Sequence, residues 1–226
     1  WWLWVIVAGR GFGKTRTAAE WMAHEMVTRP MTRWAVIAPT FGDCRDTCIE
    51  GESGLLAVLD HSVRSYNRST TEVILKNGSR AKSYAAVVPD RLRGPQFHGA
   101  WLDEPASFRY GMQVWNTLQP ALRLGETPKV VATGTPAPVP LLREFFARID
   151  GNRAVMTRGR TLDNAENLPD ILLDELQRRY GGTRLGRQEL EGELLEDVEG
   201  ALWSYELATR NRRDEPPELE RIVVSI

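Results

Sequence analysis

Cysteine, histidine and lysine are scarce in this sequence of 226 residues. It has two cysteines, three histidines and only four lysines, so arginine makes up 25 of its 29 basic residues. A metal centre needs more ligands than the two that Cys44 and Cys48 could supply, and no histidine lies near them in the sequence. We expect ordinary, partly buried thiols in a reducing compartment, on one face of a helix because they are four residues apart.

Long apolar runs are also absent. No run approaches the ~20 residues that cross a bilayer, and no basic segment precedes the apolar stretch at residues 1–8, as it would in a secretory signal. The hydrophobic content of 42% is sufficient for a packed core and argues against disorder. Because the sequence starts at Trp1, inside an apolar strand pattern, we expect a fragment of a longer protein.

Charge is divided unevenly along the chain. Residues 1–100 contain 13 basic and 9 acidic residues (+4), residues 101–160 contain 8 and 5 (+3), and residues 161–226 contain 8 and 16 (−8). The basic excess of the first 160 residues is compatible with a polyanionic partner. The acidic stretch 189–199 is mostly typical of a solvated helix face, and residues 214–218 are typical of a linker.

Apolar, β-branched segments alternate with segments of helical spacing. Strands are predicted at 3–8, 33–38, 71–75, 80–85, 97–102, 129–133 and 153–157, and helices at 14–27, 42–48, 54–59, 112–124, 139–149, 169–180 and 183–195. This alternation predicts an α/β fold with a mainly parallel central sheet flanked by helices. Asn77-Gly78, between two of the strands, predicts an inserted β-hairpin.

The segment "AGRGFGKT", residues 8–15, follows the first strand and opens the first helix. It departs from the phosphate-loop pattern G-x-x-x-x-G-K-[ST] only at Ala8, where Gly9 could supply the turn. The context favours a loop whose backbone N–H groups bind phosphate over an accidental glycine-rich turn. The residues predicted to bind ATP with Mg²⁺ are Gly9, Arg10, Gly11, Phe12, Gly13, Lys14, Thr15 and Arg16.

Polar residues follow two later strands. Asp103-Glu104 ends the strand at 97–102, and we expect Asp103, with the Thr15 hydroxyl, to hold Mg²⁺. Glu104 is the candidate base for the attacking water, which favours hydrolysis over phosphorylation of a small molecule. Thr133, Gly134 and Thr135 end the next strand and are the candidate sensor of the γ-phosphate; a simple strand-ending turn is the alternative.

Three arginines are candidates for contact with the γ-phosphate. Arg10 lies inside the loop and could act in cis, and Lys14 adds a point charge there. Arg91 and Arg93, in "PDRLRGPQ", precede the strand that ends at Asp103 and could act on a neighbouring subunit's site. Ordinary charges on an exposed loop are the alternative for this pair.

The segments "AGRGFGKTRTAAEW", "RLRGPQFHGAWLDEP", "ATGTP", "TLDNAENLP" and "GRQELEGELLEDVEGALW" together resemble the large terminase subunit of tailed double-stranded DNA bacteriophages and related gene-transfer-agent packaging proteins. Members of that family tolerate a departure from the strict loop pattern and place an arginine inside the loop, as Arg10 is here. The resemblance implies a P-loop NTPase of the additional-strand, catalytic-glutamate type. It also implies Arg93 as the first choice of trans arginine finger, and Arg91 as the second.

The resemblance implies an ATPase core at 1–140, a small lid subdomain at 141–210, and a linker with the start of a truncated nuclease domain at 211–226. The implied partners are double-stranded DNA, contacted through its phosphates, a portal on the procapsid, and the small terminase subunit. The implied assembly is a homo-oligomeric ring, with a monomer when isolated, in the host cell cytoplasm. Nuclease activity is not expected, because "RIVVSI" stops before a metal-binding aspartate.

The upstream segment that contacts adenine in the family is expected to be missing or truncated. Trp1, Trp2 and Trp4 could stand near the base, although packing in the core or an interface is favoured. A helicase-like or recombinase ATPase is the alternative function, and it would need a second lobe. Glu104 beside Asp103 argues against a third alternative, a small-molecule kinase or nucleotide switch. Lys14, Asp103 and Glu104 together argue against a scaffold without catalysis.

Overall fold

An eight-stranded sheet forms the centre of the protein. The computed structural model describes residues 1–194 and 211. The strands are β1 Leu3–Ala8, β2 Arg33–Ala38, β3 Val63–Asn67, β4 Glu72–Leu75, β5 Arg80–Ala85, β6 Gly99–Asp103, β7 Lys129–Gly134 and β8 Ala154–Gly159. Their spatial order is β3-β4-β5-β2-β6-β7-β1-β8. The six strands from β5 to β8 in this order pair in parallel, as predicted.

Helices cover both faces of the sheet. They are α1 Lys14–Thr28, α2 Phe41–Asp43 with a π-helical turn Cys44–Ile49, α3 Leu55–Leu59, α4 Gly111–Ala121, α5 Pro140–Ala147, α6 Asp170–Tyr180 and α7 Arg184–Glu189. One core layer packs Trp115 of α4 and Phe145 of α5 against the sheet. The opposite layer packs Met22 of α1 and Leu55 of α3 against Trp34 and its neighbours. The predicted two-faced α/β architecture is therefore confirmed.

The strand β7 lies between β1, which leads into the predicted phosphate loop, and β6, which ends at Asp103. An additional strand therefore separates the loop strand from the strand with the two carboxylates. Because β1, β6 and β7 are parallel, their carboxyl ends, Ala8, Asp103 and Gly134, meet at one edge of the sheet. This edge is where the fold brings the predicted site together.

Several local predictions differ from the structure, and among them the helix predicted at 183–195 ends at Glu189. The hairpin at Asn77-Gly78 forms between β4 and β5, but β3 adds a third antiparallel strand that the sequence pattern did not indicate. The predicted helix 42–48 is a short α-helix followed by the π-helical turn. The strand β3 was missed because it lies at the sheet edge, where most of its side chains are exposed and apolar alternation is weak.

The stretch predicted as the lid, 141–210, begins with core elements. Leu141, Leu142 and Phe145 of α5 are buried in the core, and β8 pairs with β1 along its whole length. The helices α6 and α7 follow this last strand. The division into core, lid and linker stays a prediction, and most of 195–226, including the predicted linker and the strand "RIVVSI", lies outside the described residues.

The tryptophans at the start of the chain pack against other aromatic rings. The ring centroid of Trp1 lies 5.5 Å from that of Trp4 and 6.0 Å from that of Trp21. Trp2 stacks on Trp115 with a centroid distance of 5.8 Å. They lie at the beginning of β1, whereas the glycine loop follows its end, so these contacts favour the packing interpretation. Within the described residues, no helix is long and apolar enough to cross a bilayer.

Candidate active site

Glycine is required at three positions of the loop between β1 and α1. Gly11 and Gly13 have φ of 73° and 99°, in the left-handed region that favours glycine. A Cβ at Gly9 would lie 2.4 Å from the Leu190 carbonyl oxygen. Gly9 is thus required by close approach of another backbone segment. Ala8 is the fully buried last residue of β1, so its side chain has no part in the turn.

Lys14 begins α1 and folds back over the loop. Its Nζ donates to the carbonyl oxygens of Ala8 at 2.9 Å and Gly9 at 3.0 Å. Burial lowers the pKa of Lys14, and the nearby carboxylates of Glu104 and Asp103 oppose this shift. In the part of the chain that the structure describes, the N–H groups of residues 11–15 have no backbone acceptor. The loop therefore presents free N–H donors next to a buried cation, which suits a phosphate group.

Asp103 is buried at the end of β6, beside Thr133 on β7. The two residues are paired in register, and Thr133 Oγ1 donates to Asp103 Oδ1 at 2.8 Å. Burial raises the pKa of Asp103 to about 6, and the hydrogen bond from Thr133 opposes that rise. The neighbouring Cys48 thiol also opposes the rise in the pKa of this carboxyl.

Glu104 follows with a backbone that non-glycine residues rarely adopt. Its φ of 51° and ψ of 53° turn the chain sharply after β6. The Glu104 carboxylate accepts a hydrogen bond from the Thr135 N–H at 3.2 Å, and Gly134 lies directly against it. Burial raises the pKa of Glu104, while the charge of Lys14 opposes the rise. The left-handed turn and a glycine neighbour therefore fix a carboxylate beside the loop.

A cleft of about 1370 Å³ opens above this edge of the sheet. Its lining includes nine of the predicted residues: Arg10, Gly11, Phe12, Gly13, Lys14, Thr15, Arg16, Glu104 and Thr135. The side chains of Asp103 and Thr133 are buried, and Gly9, Asp103, Thr133 and Gly134 are not part of the lining. The cleft is larger than the ~300–1,000 Å³ typical of small-ligand pockets and can hold a nucleoside triphosphate.

Residues beyond residue 160 also contact the loop, in segments that carried the family resemblance but were given no role in the site. Glu189 Oε2 accepts from Arg10 Nε at 2.7 Å, and the Glu189 carbonyl accepts from the Arg10 N–H at 2.8 Å. Asn164 Nδ2 donates to the Gly11 carbonyl at 2.7 Å, and Leu168 packs over Gly11. Glu189 is an exception to the solvated helix face that we predicted for most of residues 189–199, because this residue lines the cleft.

Arg93 lies away from its own chain's cleft. Its side chain is 70% exposed and its Nε contacts Asp90 Oδ1 at 2.9 Å. It borders a separate surface cavity of about 480 Å³, with Gln113, Asn116, Thr117, Pro120, Ala121 and Arg123. Arg91 is also exposed, on the same loop. Neither arginine lines the cleft of its own chain, and their role in trans stays a prediction.

Magnesium would have oxygen ligands here. The described residues contain no cluster of three or more His, Cys, Asp or Glu side chains that could hold a metal alone. Mg²⁺ in nucleotide sites typically takes one or two protein oxygens and otherwise phosphate and water. The Asp103 carboxylate and the Thr15 hydroxyl are hard oxygen donors of this kind, so the residues present fit Mg²⁺ bound with a phosphate ligand.

The two cysteines are packed inside the protein as thiols. Both are fully buried, more than the partial burial that we predicted. Cys44 Sγ donates to the Tyr84 carbonyl at 3.3 Å, and burial raises the pKa of this thiol to about 12. Burial also raises the pKa of Cys48 well above its usual value. Both thiols are therefore protonated and unreactive at neutral pH.

Solved structures of phage packaging proteins share this fold. The large terminase ATPase domain of Thermus phage P74-26 superposes with a TM-score of 0.66 at 20% identity, over 84% of this chain and 88% of that one. The full large terminase of a thermophilic bacteriophage gives a TM-score of 0.71 at 16% identity, over 85% of this chain and 48% of that one. The ADP complex of this second terminase gives a TM-score of 0.68 at 18% identity, over 84% and 47%.

The chain thus spans about half the length of the second terminase, and at these identities the likeness establishes the fold. No curated protein sequence matches the chain. A sequence profile described as "Terminase large subunit, T4likevirus-type, N-terminal" matches residues 5–210. Because that match covers most of the 226 residues, the chain belongs to the terminase large subunit family and has the fold of phage large terminase ATPase domains.

Proposed function

We propose that this chain is the ATP-hydrolysing motor domain of a viral terminase large subunit, which couples ATP hydrolysis to translocation of double-stranded DNA into a procapsid. One observation supports this most: Lys14 and the adjacent carboxylates Asp103 and Glu104 meet at the edge where the phosphate loop opens into the cleft. The terminase of the thermophilic bacteriophage has been solved with ADP and with ATP-gamma-S, which supports a nucleotide in this cleft.

The loop binds the phosphates of ATP. The N–H groups of residues 11–15 and the positive end of α1 attract the phosphate oxygens. Lys14 exchanges its two carbonyl acceptors, Ala8 and Gly9, for phosphate oxygens, so its ammonium moves toward the γ-phosphate. Asp103 and the Thr15 hydroxyl hold Mg²⁺, which neutralises phosphate charge when it is bound.

Glu104 is the base of the hydrolytic step. Its carboxylate takes a proton from water while the water oxygen bonds to the γ-phosphorus, and the bond from that phosphorus to the ADP oxygen breaks. The products are ADP and inorganic phosphate. Burial suits Glu104 to this task, because it raises the pKa of the carboxyl toward the pH at which the protein works.

The negative charge on the γ-phosphate needs further hydrogen-bond donors with positive charge. Arg10 lines the cleft and is the candidate in cis. Arg93, or Arg91 as second choice, is the candidate in trans, because both are exposed on a loop that does not reach their own cleft. This division requires neighbouring copies in a homo-oligomeric ring, and it makes the isolated monomer a slow enzyme.

Thr133, Gly134 and Thr135 connect the reaction to the rest of the protein. Thr133 holds Asp103 and Thr135 holds Glu104, so loss of the γ-phosphate changes the partners of both carboxylates and, through them, of β7. Arg10, Glu189 and Asn164 link the loop to the segment after β8. These contacts give the predicted lid a route by which to move during the cycle.

The remaining partners follow from this motor function. A motor that moves any sequence contacts DNA through its phosphates, in a way that depends on salt but not on base sequence. The portal on the procapsid and the small terminase subunit are the proposed protein partners, in the host cell cytoplasm. The helicase alternative is less well supported, since all eight strands among the described residues belong to one sheet.

The test is the release of phosphate from ATP by Glu104→Gln and Lys14→Ala, beside binding of a fluorescent ATP analogue. We expect Glu104→Gln to lower kcat about 10²- to 10⁴-fold with binding retained, and Lys14→Ala to weaken binding itself. The control is Glu175→Gln, which changes a surface residue paired with Arg178. Its kcat and its ATP-analogue binding should match those of the wild type. Unchanged turnover in Glu104→Gln would contradict the assignment of the base.

A further inference from the structure

A buried hydrogen-bond relay leads from the core to the Asp103 carboxylate. Trp101 Nε1 donates to Thr133 Oγ1 at 2.8 Å, and Thr133 Oγ1 donates to Asp103 Oδ1 at 2.8 Å. Trp101 and Asp103 are two residues apart on β6 and project toward the same face, where Thr133 reaches them from β7. Trp101 and Thr133 are fully buried and Asp103 is 6% exposed, so water does not compete for these bonds.

The direction of the relay is set by the chemistry of its members. An indole N–H can only donate, and a hydroxyl has a single proton. Thr133 Oγ1 accepts from Trp101, so its own proton is free to point to an acceptor. The Asp103 oxygen at 2.8 Å is a better acceptor than the Leu102 carbonyl at 3.4 Å, both by distance and by charge.

We propose that Trp101 is a positioning residue for Asp103. By occupying one side of the Thr133 hydroxyl, it directs that proton to Asp103 Oδ1 and so fixes the rotation of the carboxylate. This inference rests on the proposed function, in which Asp103 holds the metal with bound nucleotide. Hydrogen-bonded partners of a ligating carboxylate orient it, and their loss typically lowers metal affinity.

Trp101 differs in this respect from another buried tryptophan of the same core. Trp115 is equally inaccessible, but within the described part of the chain its Nε1 has no hydrogen-bond partner. Substitution of either tryptophan by phenylalanine removes similar apolar volume. Only the Trp101→Phe substitution removes a hydrogen bond, so Trp115→Phe is a matched control for the loss of packing.

The experiment compares Trp101→Phe, Thr133→Val, Thr133→Ser and Trp115→Phe. The first readout is the Mg²⁺ concentration at half-maximal ATPase rate, with kcat measured at saturating Mg²⁺. The second is the set of indole N–H resonances of the metal-free protein in ¹H–¹⁵N spectra, where the Trp101 signal is assigned by its absence from Trp101→Phe. This second readout does not depend on activity.

We expect Thr133→Val to raise the Mg²⁺ requirement about tenfold or more, and Trp101→Phe to raise it about threefold or more. Thr133→Ser should keep the Mg²⁺ requirement near the wild-type value, because serine retains the hydroxyl. Trp115→Phe should also leave the Mg²⁺ requirement unchanged. The Trp101 indole resonance should shift in Thr133→Val and stay near its wild-type position in Thr133→Ser.

Two results would overturn the inference. One is a Trp101→Phe protein whose Mg²⁺ requirement equals that of Trp115→Phe. The other is a Trp101 indole resonance that does not shift in Thr133→Val. This result is decisive even if Trp101→Phe folds poorly. In that case the resonance is assigned by its absence from Trp101→Tyr. Failure of the proposed function itself has a separate signature: wild type would show no Mg²⁺-dependent ATPase, whatever the resonances do.

Discussion

Gly134 lies against the carboxylate that we propose as the base. A Cβ at this position would be 3.2 Å from Glu104 Oε2 and 3.2 Å from Pro105 Cδ. These distances are tighter than an ordinary van der Waals contact, so a side chain would displace Glu104. A glycine that looks like part of a strand-ending turn in the sequence therefore defines where the base stands.

We expect Gly134→Ala to lower kcat about threefold or more while the protein stays folded, since a Cβ at 3.2 Å requires a shift of a few tenths of an ångström and a full ~1 Å in a catalytic group can cost 10²-fold. The measurement is steady-state ATPase with circular dichroism as the check on folding. Gly42→Ala is the control, because that Cβ would make only an ordinary 3.5 Å contact with Thr40 Oγ1. Equal kcat in the two variants would show that Glu104 tolerates the displacement.

Asp103 makes a pH-dependent contribution to stability. Its folded pKa of about 6 lies above the usual 3.8, so the native state binds this proton more tightly than the unfolded state does. The free energy of unfolding from this group therefore falls as pH rises from about 4 through 6, by up to about 3 kcal/mol at 1.36 kcal/mol per pKa unit.

We expect Asp103→Asn to be more stable than wild type at pH 7.5 in metal-free buffer, with a difference that shrinks toward pH 4. Urea unfolding across this range measures it. Asp46→Asn is a control with the opposite pH dependence. The hydrogen bond with Arg45 lowers the pKa of the exposed Asp46, so the contribution of Asp46 to the stability of the fold is lost as pH falls. A wild-type advantage over Asp103→Asn at pH 7.5 would contradict a buried, unfavourable charge at Asp103.

At the scale of elements, the segment after β8 closes one side of the cleft. Glu189, at the end of α7, binds the side chain and the backbone of Arg10, and its carboxylate raises the pKa of Arg10. The same carboxylate faces the site that ATP phosphates would occupy. In the proposed ATP complex, Glu189 therefore competes with the phosphates for Arg10, and its negative charge opposes theirs.

We expect Glu189→Gln to bind ATP about two- to fivefold more tightly, because an exposed ion pair contributes about 0.2–1 kcal/mol. Calorimetric titration with a non-hydrolysable analogue measures the Kd. Glu175→Gln makes the same charge change in the exposed Glu175–Arg178 pair of α6 and should leave the Kd unchanged. Weaker binding by Glu189→Gln would mean that Glu189 orders the loop rather than restrains it.

Sequence patterns were reliable where burial and backbone chemistry act locally. The bounds of β1 and the start of α1 follow from an apolar run and from the glycine-rich loop that interrupts it. That Asp103 and Thr133 lie at the same edge of the sheet follows from the rule that parallel strands end there, whereas their direct pairing is a finding of the structure. These features depend on residues close together in sequence, or on one topological rule.

Contacts made by distant segments could not be predicted. Glu189 lies within an acidic run that has no periodic signal, and its pairing with Arg10 depends on the path of the chain after β8. The role of Gly9 also depends on that path, through Leu190. Trp101 is one of eight tryptophans, and only the register between β6 and β7 distinguishes its N–H from the others.

At the scale of the whole molecule, the residues that we propose for the reaction lie on two surfaces. The cleft contains the loop, Lys14 and Glu104, whereas Arg93 lies on a surface that borders a different cavity. If the proposal is right, a dilute single copy has the proposed base and metal ligand but lacks the trans arginine. Assembly, rather than nucleotide binding alone, would then set the rate.

The most direct measurement is the ATPase rate against protein concentration for wild type, Glu104→Ala, Arg93→Ala and an equimolar mixture of the two variants, with the exposed Arg64→Ala as control. We predict a wild-type rate that rises faster than linearly with concentration, two slow variants, and partial recovery in the mixture. A linear rate that is lost in Glu104→Ala but kept in Arg93→Ala would contradict the shared site, and would assign the arginine role to Arg10 within a self-contained one.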